Sequence, residues 1–463
     1  MKVESPIRVF RSGEKGVDER MRRMRERLSL FTDAVTLESA RKTREVFGRP
    51  LKPLEAVRKI LGDIHRDGDR ALFHYTRKFD GVRLKPGTLR VGKKEIESST
   101  KMVSPRFLAA VKRAIQNVRA FQKRIKVRLP KAFLGKGIRL EMRLRPLKRI
   151  GVYVPGGEAA LGSSLYMCAV PAQVAGVKEI AVATPCGRDG RVAPEVLAVA
   201  SMLGLSEIYQ IGGAQAIGAL AFGTASVRPV DKIVGPGNIF VTLAKKEVFG
   251  TVDIDLFAGP SEIVVIADDS ANPAYVASDL LAQAEHNSAS PMLLTPSEKL
   301  ASQVVEELEK QLPRLERKGA DAAREALSRF GFILITRDLP EAIEMANALA
   351  PEHLEIQTRS PGRILPKIEN AGAVFLGPTT PEAIGDYLAG PSHTLPTGGT
   401  ARFLSGLSVN DFLKWTSVME YSSRALKALS RHAIEIARSE RLGAHANSIS
   451  IRLAVRRRKW KRG

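Results

Sequence analysis

Four of the seven histidines in this chain stand in short polar motifs of its C-terminal half: Ala284-Glu285-His286, Pro351-Glu352-His353, Pro391-Ser392-His393 and Gly443-Ala444-His445. Histidine is the usual metal ligand and the side chain that can take up and return a proton near neutral pH. Three of the four have a carboxylate or an amide within co-ligation or hydrogen-bonding reach along the chain. That pattern describes a built site rather than scattered surface residues. His65, His74 and His432 lie among Arg, Lys and apolar helix positions and read as ordinary.

Two of the motifs carry a chemical reading of their own. Asn272-Pro273 starts a helix, with Asn as the cap and Pro at the first helical position. On that helix Asp279, Gln283 and His286 fall at spacings of four and three, hence on one face. An oxygen donor three residues before a histidine makes a workable metal pair, although a polar surface face has the same spacing. Zinc wants about four donors, and the further candidates are Asp386 and the two later histidines. Glu352-His353 follows a helix and precedes the strand-like Leu354-Glu355-Ile356. Adjacent Glu and His can divide labour, one activating water and the other moving the substrate proton. A strand edge after a loop is where α/β sheets place catalytic groups; a surface Glu-His pair reads the same in sequence.

Four Gly-rich turns follow predicted strands: Val154-Pro155-Gly156-Gly157, Ile211-Gly212-Gly213-Ala214, Val234-Gly235-Pro236-Gly237-Asn238 and Ala258-Gly259-Pro260-Ser261. Three of them lead into helices, the geometry that holds phosphate at helix N-termini. Neither the dinucleotide fingerprint nor the P-loop spacing occurs. Singly these are tight turns; jointly they suggest a nucleotide-sized ligand along a sheet edge.

The elements that must position these groups alternate. From Pro53, Leu54, Val57, Ile60, Leu61 and Ile64 repeat at helical spacing, and the chain reads as mostly helical to about residue 125. Strands are then predicted at Ile150–Val154, Ile180–Ala183, Ile208–Ile211 and Ile233-Val234. Helices at Leu165–Ala175, Pro194–Leu203, Ala214–Phe222 and Ile239–Phe249 lie between or after them. The alternation restarts after Ala258-Gly259-Pro260, with strands at Ile263–Ala267, Met292–Leu294, Phe332–Thr336 and Ala373–Leu376. Its helices are Pro273–Glu285, Glu298–Gln311 and Pro340–Leu349. Regular strand–helix alternation is the mark of parallel sheets covered on both faces. Beyond Gly406 a short helical tail ends in a strand-like Ser448–Leu453.

With 463 residues the chain should divide into about two to four units. No apolar run approaches the roughly 18 to 20 residues needed to span a bilayer, and the N-terminus has no apolar signal core. Cys168 and Cys186 make no disulfide framework and no cysteine zinc motif. The cytoplasm is the expected compartment. The net charge of +24 and pI near 10.2 are the odd values. Much of the excess lies at the ends, in Arg20–Arg25 and Arg456–Arg462, and reads as solvated basic termini rather than as a nucleic-acid surface.

The motifs quoted above, with Gly151-Val152-Tyr153, Pro351-Glu352-His353-Leu354-Glu355, Pro391-Ser392-His393-Thr394-Leu395-Pro396-Thr397 and Asp67-Gly68-Asp69-Arg70-Ala71-Leu72, resemble histidinol dehydrogenase, in order, over roughly residues 30–453. The resemblance implies oxidation of L-histidinol to L-histidine through L-histidinaldehyde, with two NAD+ and one zinc ion per subunit, in a homodimer whose C-terminal segments complete the partner's site. Gln283, His286, Asp386 and His445 would be the zinc ligands, and Glu352 and His353 the acid/base pair. Ser261, His393 and Glu440 would hold the substrate together with His353 and the zinc ligands. Tyr153, Gln215 and Asn238 would line the NAD site. A paralogue acting on another hydroxylated substrate, such as a sulfonated diol, is the alternative.

The expected fold is α/β, with two incomplete Rossmann-like parallel-sheet domains at 151–260 and 261–405. An arm at 1–29 and a helical part at 30–150, packing with 261–405, would precede them. A small dimer-exchanged tail at 406–463 would follow.

Overall fold

A computed structural model describes residues 6–16, 19, 22, 37–156, 161–187, 189–257, 259–286 and 288–454. The basic run at 456–462, most of that at 20–25, Gly157 and Ala258 lie outside the described residues. The chain divides into two compact units, Met1–Ile125 with Leu147–Phe412, and Lys126–Pro146 with Leu413–Gly463.

The larger unit begins with a strand where an arm was expected. β1 (Arg8–Arg11) pairs in parallel with Phe332–Ile335, and Ile7 just before it is buried. One buried isoleucine in a charged stretch carries too little periodicity to be read. Helices α1 (Leu37–Phe47), α2 (Pro53–Asp67), α3 (Asp69–Asp80) and α4 (Pro105–Ile125) follow. The expectation that this helical part packs with 261–405 is corrected for α2 and α3. Val57, Ile60, Leu61, Leu72 and Tyr75 share a core with Ala181 and Ile233 of the first sheet and with Ile217 of a helix that covers it. The physical reason is a close approach at Gly218, where a Cβ would stand 3.1 Å from Leu61 and 3.3 Å from Ile64. Next in the chain come β2 (Phe133–Gly135) and β3 (Ile138–Pro146), which belong to the smaller unit.

The first sheet consists of β4 (Arg149–Tyr153), β5 (Glu179–Ala183), β6 (Glu207–Tyr209), β7 (Lys232–Val234) and β8 (Asp253–Ile254), all parallel, in the order β6-β5-β4-β7-β8. Helices α5 (Gly162–Ala175), α6 (Pro194–Met202), α7 (Gly213–Phe222) and α8 (Ile239–Val248) accompany it. Its central strand is buried at every position, as a sheet covered on both faces requires.

The second sheet takes β9 (Glu262–Ala267), β10 (Ser290–Thr295), β11 (Phe332–Ile335), β12 (His353–Gln357) and β13 (Ala373–Leu376), with β1, in the parallel order β1-β11-β10-β9-β12-β13. Helices α9 (Pro273–Ala284), α10 (Glu298–Gln311), α11 (Arg317–Arg329), α12 (Leu339–Leu349) and α13 (Glu382–Tyr387) flank it. Alternate residues of β9 enter opposite layers: Ile263 and Val265 pack with Leu280 and Val304, while Val264 and Ile266 pack with Leu294 and Leu349. α11 escaped the sequence reading because its buried stripe is mostly alanine, Ala320, Ala323 and Ala326 beside Leu327.

In the smaller unit β14 (Leu413–Tyr421) pairs antiparallel with β3, and β3 with β2; α14 (Ser423–Ser439) and α15 (Gly443–Ala454) follow. Two expectations are corrected here. β2 and β3 interrupt the region read as helical, and Ser448–Leu453 is helix within α15. Neither β3 nor β14 has a buried face, so the period-two signal of a core strand is missing. Ser448–Leu453 alternates like a strand, yet packing against α14 decides its state. No helix among the described residues is long and apolar enough to cross a membrane.

Candidate active site

Register brings the acid/base pair to its neighbours. His353 opens β12 opposite Ile263 of β9 and Ala373 of β13, so Glu352 falls beside Glu262. These groups stand at the amino ends of their strands, not at the carboxyl ends that the general α/β rule favours. α9 runs back along the sheet from β9, and its end carries Gln283 and His286 to that edge.

His353 is buried, with Nδ1 2.9 Å from Gln283 Oε1. An amide oxygen only accepts, so the ring proton sits on Nδ1 and the lone pair on Nε2. Nε2 is buried without a hydrogen-bond partner among the described residues and lies 3.7 Å from Glu382 Oε1. Burial pushes the imidazole down to about 4, with the Asp386 carboxylate pulling the other way. The ring is therefore neutral at physiological pH, the form a base requires. His393 Nδ1 lies 3.1 Å from the Asp386 carbonyl oxygen and 4.0 Å from its Oδ1. His393 Nε2 is likewise buried and unpartnered, and burial lowers this ring too. His286 is exposed just beyond α9, and its proximity disfavours protonation of both His353 and His393.

The carboxyl groups are as crowded. Burial, and then the facing Glu262 and Asp386, raise Glu352 well above the usual carboxylate range, although the Ser261 hydroxyl and the Glu262 N–H favour its anion. Glu382, at the first turn of α13, is pushed up to about 9 by burial and by Asp386. His353, Glu382 and Asp386 offer ligand atoms that all lie within 4.8 Å of one another. Glu382 was missed in sequence, yet Glu382 and Asp386 stand four apart on one short helix, a spacing that signals a shared face. A cavity of about 400 Å³ opens on these groups, walled by Phe121, Phe375, Ile384 and Leu395. Ser392 is buried beside it and accepts the Thr394 N–H at 3.2 Å. Glu440, the C-cap of α14, and His445, in the first turn of α15, are exposed residues of the smaller unit; the cluster described here is built from the larger unit alone.

The predicted cofactor residues sit at the carboxyl ends of the first sheet. Tyr153 ends β4, and its hydroxyl accepts the Gly213 N–H at 3.1 Å. Gln215 is buried in the first turn of α7, its Nε2 without a hydrogen-bond partner among the described residues. Asn238 caps α8, accepting the Phe240 and Val241 N–H groups at 3.0 and 3.2 Å. Before it, Gly235 has φ 114°, and a Cβ there would meet the Tyr153 carbonyl oxygen at 2.1 Å. The buried Asp255 accepts the Gly235 N–H at 2.7 Å, while Lys245, paired with Asp255, donates to the Gly235 carbonyl at 3.0 Å. A cleft of about 770 Å³ opens nearby, lined by Pro155, Thr184, Pro185, Asp189 and Arg191.

Buried imidazoles and paired acids at the edge of the second sheet can move protons to and from a bound substrate, and a separate cleft opens by the first sheet. The family model for histidinol dehydrogenase matches residues 49–453. A histidinol dehydrogenase of Rhodopirellula baltica is 48% identical over 434 residues, 94% of each chain. That of Aquifex aeolicus is 48% identical over 401 residues, 86% of this chain and 92% of the other. The crystal structure of histidinol dehydrogenase from Elizabethkingia anophelis superposes with a TM-score of 0.86 at 33% identity, covering 98% of this chain and 99% of that one. With this match over most of its length, the chain belongs to the histidinol dehydrogenase family.

Proposed function

We propose that this protein oxidises L-histidinol to L-histidine through L-histidinaldehyde, delivering two hydrides to two NAD+ in the cytoplasm. The observation that carries this reading is the buried His353, whose Nε2 has no hydrogen-bond partner among the described residues and stands 3.7 Å from Glu382 Oε1, beside a cavity lined also by Asp386 and His393. His353 takes the hydroxyl proton as hydride leaves the alcohol carbon. Once ionised, Glu352 takes a proton from water, so that the aldehyde becomes a hydrate able to lose the second hydride. Apolar walls around the cavity keep the aldehyde from bulk water. Ser261, His393 and Glu440 hold the substrate.

The proposed donors suit a zinc ion: two imidazoles, an amide oxygen and the Asp386 carboxylate make an N/O set, and a cation beside Asp386 would relieve its repulsion of Glu382. Gln283, His286, Asp386 and His445 would hold it, the last given by a second copy of the chain. The ion would supply an anchor for the substrate's imidazole and amine. Gln283 Oε1 has a second lone pair beyond the one His353 uses. Tyr153, Gln215 and Asn238 would line the NAD site, and the unpartnered Gln215 Nε2 is a donor awaiting an acceptor. Support for a homodimer comes from the smaller unit, where Leu429, Ile436, Leu442 and Ile451 are exposed on α14 and α15 and its approach, an apolar surface that association would cover.

The test is NADH formation from L-histidinol by zinc-loaded protein, with two NADH expected per histidine. Turnover no faster than background refutes the reading. The sulfonated-diol alternative is not favoured, because relatives at 48% identity are histidinol dehydrogenases.

A further inference from the structure

Glu262 is a fully buried carboxylic acid at the head of a strand whose other residues, Ile263 to Ala267, are all buried and apolar. A carboxyl in such a place is costly unless it holds something. Its Oε1 accepts the Gly398 N–H at 2.8 Å. Burial pushes this carboxyl up to about 8, against the opposing pull of the Gly398, Glu352 and Gly399 N–H groups, and the Glu262 N–H favours the anion of Glu352. Each glutamate's main chain thus serves the other's carboxyl. The Gly398 turn ends the segment that carries Ser392 and His393, and the Thr397 hydroxyl just before it accepts the Gly259 N–H at 2.5 Å. Glu262 therefore joins three pieces: the head of β9, the head of β12 and the end of the histidine segment. This bracket leaves Glu352 Oε2 buried and without a partner among the described residues, the atom that can receive a proton from water.

We propose that Glu262 is a positioning residue whose carboxyl ties the Gly398–Gly399 turn to the heads of β9 and β12, and so fixes the place of Glu352 for the addition of water to the aldehyde. The inference rests on the reading of Glu352 as the base for that water. Its measurable sign is a loss confined to one half of the reaction. Reacting groups displaced by about 1 Å lose on the order of 10²-fold in rate.

The experiment compares Glu262→Gln, Glu262→Asp, Glu352→Gln and the double variant E262Q/E352Q in the zinc-loaded protein. Oxidation of L-histidinaldehyde by NAD+ is followed separately from hydride release by L-histidinol. Either Glu262 variant should lower kcat for the aldehyde about 10²-fold, with the KM for L-histidinol, zinc content and melting temperature unchanged. Glu262→Asp keeps the carboxyl but draws it back by one methylene, and it decides the matter if E262Q does not fold. The double variant should be no slower than E352Q alone. Losses that multiply in the double variant, or a Glu262 variant that turns over the aldehyde normally, overturn the proposal. Wild-type aldehyde turnover by E352Q itself instead removes the role of Glu352, and with it this one.

Discussion

Gln283 and His353, 70 residues apart in sequence, are joined by a 2.9 Å hydrogen bond from the imidazole Nδ1 to the amide oxygen. That bond orients the ring and leaves Nε2 as the basic nitrogen. His353→Ala should therefore lower kcat for L-histidinol by about 10²- to 10⁴-fold, the usual worth of a positioned proton acceptor. Zinc content, measured by elemental analysis, should stay at one per chain. Loss of zinc in the same variant would place His353 among the ligands rather than in the proton path.

The metal set can be decided directly, because two groupings share Asp386. The predicted ligands are Gln283, His286, Asp386 and His445, whereas the closest cluster of the larger unit is His353, Glu382 and Asp386. Asp386→Asn should weaken zinc binding at least about tenfold, the range seen when a metal's supporting groups are lost. Glu382→Gln should leave zinc bound, because in the proposed set Glu382 only neighbours the ligand Asp386. Competition with a chromophoric chelator reads both affinities. Equal losses in the two variants would exchange Glu382 for one of the predicted ligands.

The turn before Asn238 tolerates only glycine. At Gly235 the left-handed φ and the approach to the Tyr153 carbonyl exclude a side chain, and Asp255 with Lys245 pins the same peptide. Gly235→Ala should lower stability by about 1–3 kcal/mol, the usual worth of such backbone strain. It should also raise the KM for NAD+ more than that for L-histidinol. A variant with unchanged melting and unchanged NAD+ affinity would show that the turn relaxes at no cost.

Much of the arrangement was legible because burial writes itself into residue type. Strands covered on both faces read as apolar runs, and α9 announced its start with Asn272-Pro273, where Asn272 does cap the Ala274 N–H at 2.9 Å. The four histidine motifs were legible as chemistry, and three of them converge within the larger unit. What stayed hidden lacks a periodic signal. β3 and β14 have no buried face, and β1 is anchored by Ile7 in a charged stretch. Glu262 and Glu382 look like ordinary acids in sequence. Only the register that sets Glu352 beside Glu262, and the fold that sets α13 against His353, make them part of a site. Which end of the strands carries the chemistry was also beyond reach, since it depends on where α9 arrives.

Far from the chemistry, at the amino end of the first sheet, Arg149 and Glu207 set a pH limit on stability. Both Arg149 terminal nitrogens bond the Glu207 carboxylate, at 2.8 and 2.6 Å, and the Tyr209 hydroxyl adds a third bond at 2.7 Å. Burial alone would raise this carboxyl, but the guanidinium and the hydroxyl outweigh it and hold it at about 2. A folded-state value below the unfolded one means that the unfolded chain binds more protons in acid. The contribution is therefore complete above about pH 5.5 and is lost as pH falls from the ordinary carboxylate range toward 2. Arg149→Met leaves Glu207 with only the Arg228 guanidinium at 3.4 Å and the Tyr209 hydroxyl, and should cost roughly 1.5–3 kcal/mol at neutral pH. Because Glu207 would then protonate readily, the gap between variant and parent should narrow as the solution is acidified. Denaturant melts of both proteins from pH 7 to pH 3 measure that gap; a difference that stays constant across the range would rule out this linkage.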